Sequence, residues 1–128
     1  MADFTLLITT APFTSDHHAL AMRFIRASAE KHTIKRVFFY QDAVLASNKQ
    51  QQPPQGQSAL CNEWAILAEQ HGINLSVCVA NSLRRGITNT NEAARYELGE
   101  ANLHPAFELV GLGEMTDAIN DSDRVVQF

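Results

Sequence analysis

Apolar residues recur along this chain with two periods, and their alternation predicts an α/β fold. Asp3 to Thr9, with Phe4, Leu6, Leu7 and Ile8, is a short apolar run of strand length. Ile34 to Tyr40 contains Val37-Phe38-Phe39-Tyr40, a strongly β-prone stretch. In Ile73 to Val79, the apolar Ile73, Leu75, Val77 and Val79 alternate with Asn74, Ser76 and Cys78. Ala106 to Val110 and Arg124 to Phe128 complete five strands. Between them lie helical patterns. Ser15 to His32 places Leu20, Phe24 and Ala27 on one face, flanked by Ala21 and Ile25, with Ser15 or Asp16 as its cap. Ser58 to His71 buries Leu60, Trp64, Leu67 and Ala68, and Gly72 is a natural stop. Asn91 to Leu98 is a weaker helix and Glu114 to Asn120 a short one.

Strands that alternate with helices imply a mainly parallel sheet covered on both faces. The expected architecture is a flavodoxin-like, doubly wound, five-stranded α/β sheet forming a single domain over residues 1–128. Its simplest strand order is 2-1-3-4-5, with the chain reversing direction between strands 1 and 3. Ligands bind at the carboxyl ends of the strands beside such a reversal, here Thr10 to Thr14 and the segment after Cys78. The loop 47–58 has a Gln/Pro-rich centre, Lys49 to Gln57, without an apolar anchor. It leaves strand 2 at the same edge as Cys78, where it either covers part of a site, meets a partner, or is simply a surface insertion.

Composition narrows the function classes. Hydrophobic residues make up 45% and charged residues 19%, which is globular rather than disordered. A formal net charge of −4 argues against direct nucleic-acid binding, which needs a basic face. No apolar run approaches the roughly 20 residues needed to span a bilayer. The opening Met1-Ala2-Asp3-Phe4-Thr5 lacks a positive signal-peptide n-region, so a cytoplasmic location is expected. Two cysteines without CxxC spacing fit a reducing compartment.

The candidate chemistry centres on Cys78. It ends a strand and is followed by Ala80-Asn81-Ser82-Leu83-Arg84-Arg85-Gly86, a polar turn or short helix with two arginines. Backbone N–H groups at a helix start and nearby cations both favour a thiolate, the nucleophilic form of cysteine. The plainer reading is inert packing, the commonest fate of an intracellular cysteine. Arg84 and Arg85 are candidates to hold an anion or an acidic partner surface, or else form a solvated turn. Cys61 lies inside a helix beside Leu60 and Trp64 and reads as packing. His17 and His18 are adjacent and point to different sides of a helix, so no metal site is expected there. Gly111-Leu112-Gly113 lacks the third glycine of a dinucleotide loop, and the stretch after strand 1 has no glycine for a flavin phosphate. No cofactor is expected.

The stretches Phe4 to Thr9, Val37 to Tyr40, Val77-Cys78-Val79-Ala80 with Leu83-Arg84-Arg85-Gly86, and Gly111-Leu112-Gly113 with Asp123 to Phe128 resemble the DsrE-like sulfur-relay family. The similarity runs nearly end to end. It implies a flavodoxin-like subunit of a heterohexamer with TusB-like and TusC-like chains, and a working cysteine that matches Cys78. That cysteine would take persulfide sulfur from a TusA-like donor and pass it to a TusE-like acceptor, for 2-thiouridine formation at the tRNA wobble position. A sister branch, the DsrE type, serves dissimilatory sulfur oxidation. Two other classes stand beside the relay thiol: a non-catalytic scaffold subunit of the same complex, and a thiol redox sensor. The family pattern gives no role to the Gln/Pro loop or to Cys61.

Overall fold

A run of strand, helix and strand repeats through the computed structural model, which describes residues 1–128. Strands β1 (Asp3–Ile8), β2 (Thr33–Phe39), β3 (Asn74–Cys78), β4 (Phe107–Val110) and β5 (Arg124–Gln127) form one all-parallel sheet. Helices α1 (His17–Ser28), α2 (Leu60–His71), α3 (Val79–Arg84), α4 (Thr90–Arg95) and α5 (Leu112–Asp121) lie between them, with a 3₁₀ segment at Gln41–Ser47. Each of the five strands falls within two residues of its expected span. The 3₁₀ segment was not legible, because its Ala43, Val44 and Ala46 are too few to show a period.

The α/β class holds, but the strand order is β4-β3-β2-β1-β5, not 2-1-3-4-5. The physical reason lies in β2 and β5. Val37, Phe38 and Phe39 of β2 are all fully buried, so this strand takes the middle of the sheet with a neighbour on each side. Arg124, Val125 and Gln127 leave β5 largely exposed and suited to an edge. The chain therefore adds β2, β3 and β4 in one direction and returns through α5 to the far side of β1. Its reversal lies between β1 and β5, so the expected placement of Cys78 beside a β1/β3 reversal is wrong.

Right-handed crossovers put helices on opposite faces when the chain changes direction. Helices α1 and α2 share one face, where His18 meets Trp64 and Phe39. Helix α5 covers the other: Thr5 reaches the Ala118 carbonyl, and Arg36 pairs with Glu114 at 3.0 Å. The core of Leu6, Ile8, Ile25, Val37, Phe39, Trp64, Leu67 and Val77 fills the α1/α2 side.

Two local expectations for α1 also need correction. Its buried residues are His18, Ala21, Met22 and Ile25, whereas Leu20 and Ala27 face solvent and Phe24 is half-buried. The core stripe is shifted because the imidazole of His18 is itself a core group, which an apolar period cannot reveal. Asp16 takes the N-cap position without a side-chain cap bond, and Ser15 accepts only the His17 N–H. Gly72 ends α2 as expected, in the left-handed conformation with φ 64°.

Candidate functional site: a buried thiol at the end of a strand

Cys78 closes β3 and is the N-cap residue of α3. Pairing of β3 with β2 and β4 fixes the direction of its side chain. Phe38 pairs with Ser76 and Cys78 with Val110, so the thiol lies on the sheet face opposite α1 and α2. The residue is only 1% exposed. Its sulfur has one polar partner, the side-chain amide of Asn81, which donates to Sγ at 3.0 Å.

Asn81 stands three residues beyond Cys78. Helical side chains lean back toward the N-terminus, so a residue at that spacing falls over the cap position. The next turn adds a second tie. The Arg85 guanidinium donates from Nη1 to the Asn81 carbonyl at 3.1 Å and from Nε to Asp42 Oδ1 at 2.8 Å. Asp42 belongs to the 3₁₀ segment, just after Gln41, whose φ of 53° is left-handed. Phe39 pairs with Val77, so this corner leaves β2 alongside the point where Cys78 leaves β3.

The sequence-predicted site residues therefore separate into three cases. Cys78 is at the strand end as expected. Arg85 is in the same corner, but its charge is engaged by Asp42 rather than free. Arg84 is exposed and makes no hydrogen bond or ion pair. Asn81 and Asp42 were missed. The one signal for Asn81 was its spacing of three residues from the cysteine. Nothing in the sequence links Asp42 to residues 43 positions later.

Cys61 is buried in α2, and burial pushes its thiol up from the ordinary range, as expected of an inert packing cysteine. No group of three or more His, Cys, Asp or Glu is arranged to hold a metal ion. A groove of about 460 Å³ runs between Pro12–Phe13 and the Gln/Pro loop, but Cys78 does not line it. The loop thus faces the exit of β1. Its base is held by Gln51, which donates to the carbonyls of Leu45 and Ala46 and accepts the Cys61 N–H at the start of α2.

The fold and site together are those of a small all-parallel α/β protein with a buried thiol at the end of an interior strand. The DsrE/DsrF-like family model matches residues 2–128, and the chain belongs to that family. A full-length relative is the sulfurtransferase TusD of Serratia proteamaculans, 43% identical over 129 residues and all of both chains. The putative sulfurtransferase DsrE of Allochromatium vinosum is 41% identical over 98% of this chain and 97% of its own. The ychN protein from E. coli has the same fold, with a TM-score of 0.72 at 19% identity over the whole of both chains. No helix is long and apolar enough to cross a membrane.

Proposed function

We propose that this protein is a sulfur-relay subunit that carries sulfane sulfur as a persulfide on Cys78. Its activity class, a sulfurtransferase, is that of its full-length relatives. The observation that carries the residue assignment is the Asn81 amide aimed at a thiol that ends an interior strand. An inert packing cysteine needs no such donor.

The reaction is thiol exchange. The Cys78 thiolate attacks the outer sulfur of a TusA-like donor's persulfide; the donor's S–S bond breaks and its own sulfur leaves as a thiolate. Cys78–S–SH remains, with the proton still on the outer sulfur. A TusE-like acceptor thiolate then attacks that outer sulfur and regenerates the Cys78 thiolate. Electrons balance at each step, so neither a cofactor nor a metal is called for. Since Cys78 is only 1% exposed, transfer to a docked protein requires the first turn of α3 or the 3₁₀ segment to give way. Arg84, exposed and unpaired, is the cation free to meet an anionic sulfur or an acidic partner surface.

In this reading the chain works in the cytoplasm as one domain of a hetero-oligomer with TusB-like and TusC-like subunits. The sulfur goes on to the wobble uridine of tRNA. Relatives at 43% and 41% identity carry the TusD and DsrE names respectively, so a sulfur-oxidation role is the second reading. Deleting the gene and measuring 2-thiouridine in bulk tRNA by mass spectrometry separates them. Loss of the modification, restored by the wild-type gene and not by Cys78→Ser, supports tRNA thiolation. Unchanged 2-thiouridine supports the oxidation branch, and restoration by Cys78→Ser supports a scaffold.

A further inference from the structure

We propose that Asn81 is the group that holds negative charge on the Cys78 sulfur, and that Arg85 and Asp42 position it. This rests on Cys78 being the relay thiol. Asn81 is the sulfur's only hydrogen-bond partner, at 3.0 Å. A side-chain amide is well matched to that task. It donates a hydrogen bond to a thiolate but has no proton to surrender, so it favours the anion without quenching the nucleophile. The same donor suits the sulfur when it becomes a leaving group, as the acceptor draws the outer sulfur away.

Three features argue against a merely structural role. Asn81 is the third residue of α3, yet its side-chain amide turns back onto Cys78 Sγ instead of bonding any backbone group of its own helix. The Arg85–Asp42 pair is part-exposed, with side chains 27% and 60% accessible, and such pairs contribute little to stability. Yet Asp42 is carried to this corner by the left-handed Gln41, a strained backbone state that persists only where its surroundings enforce it. The strain and the ion pair together fix the Asn81 backbone through its carbonyl, and so the reach of its amide. The charged groups of this corner are Asp42, Arg84 and Arg85. Glu108 adds a carboxylate two residue pairs down the sheet, on the same face and opposite Ser76.

The test is alkylation of Cys78 by iodoacetamide from about pH 6 to about pH 10, followed by intact mass in a Cys61→Ala background. The high-pH plateau, where the thiol is ionised, reports access and the intrinsic nucleophilicity of the thiolate. The ratio of the rate near neutrality to that plateau therefore isolates the thiolate's stabilisation. Asn81→Ala should lower the ratio about tenfold, the worth of one hydrogen bond to a charged group. Asn81→Asp has the same size but no donor and an added negative charge, so its ratio should fall below that of Asn81→Ala. Arg85→Ala should lower it by a smaller factor, with Asn81 intact. Equal ratios in wild type and Asn81→Ala overturn the role of Asn81, as does an Asn81→Asp ratio at or above that of Asn81→Ala. An unchanged ratio in Arg85→Ala overturns the positioning role. Alkylation needs no relay partner, so these outcomes stand apart from whether Cys78 accepts sulfur, which loading of the wild type measures in parallel.

Discussion

Acidification should loosen this fold through His18. The ring is 2% exposed, between Phe39 and Trp64, with both nitrogens engaged. Nε2 lies 2.8 Å from the Thr10 carbonyl and must donate; Nδ1 accepts the Trp64 indole N–H at 3.2 Å. A second proton would set donor against donor and bury a charge. Burial therefore holds His18 below the ordinary histidine range, aided by the neighbouring His17 and opposed in part by the Thr10 carbonyl. In the unfolded chain the ring protonates near its usual value of about 6.5. Below that pH the unfolded state binds the extra proton, so stability falls as pH falls, until the native ring itself protonates. For one ring that stays neutral in the native state, the loss between about pH 7.5 and about pH 5.5 reaches ~1.4 kcal/mol. With a urea m-value of about 1–3 kcal/mol/M, the unfolding midpoint should drop by roughly 0.5–1.4 M. His104, also lowered by burial, adds a contribution of the same sign, which His104→Gln removes. If the His104→Gln protein is equally stable or more stable at the lower pH, the neutral, doubly engaged His18 is refuted.

Other consequences follow from single contacts. Cys61→Ala removes one buried atom from α2 and should cost about 1 kcal/mol, a drop of roughly 3–5 °C in Tm, while leaving sulfur loading intact. Loss of loading in that variant would give Cys61 a part in the relay. Gln51→Ala removes the ties from the Gln/Pro loop to the 3₁₀ segment and to α2, and should cost about 1–2 kcal/mol in chemical denaturation. Arg84→Ala, lacking any partner to lose, should leave stability within about 0.5 kcal/mol, so any fall in transfer rate belongs to function.

Local pattern carried the fold's elements further than their arrangement. The alternation around Leu75 and Val77 and the fully apolar Val37-Phe38-Phe39 gave both strands nearly to their ends, because burial on a pleated sheet leaves a period in the chain. Strand order leaves no such mark. It was set by β1, β2 and β3 each being buried on both faces while β5 tolerates an edge, a comparison across the whole chain. The candidate site divides in the same way. Cys78 and its strand end were readable, since both are local. Asn81 was within reach of helical spacing alone. Asp42 was not, because it meets Arg85 only through the pairing of β2 with β3 and a left-handed turn at Gln41. Arg85 consequently reads as a free cation in the sequence and as a clamp in the fold.

The most direct test of Cys78 as the relay thiol is intact-protein mass spectrometry after incubation with a persulfide-loaded carrier, comparing wild type with Cys78→Ser. The expected result is a gain of one sulfur, about 32 Da, on the wild type alone, removed by dithiothreitol. A wild type that gains no sulfur with its partner subunits present, or a Cys78→Ser protein that loads equally, would contradict it.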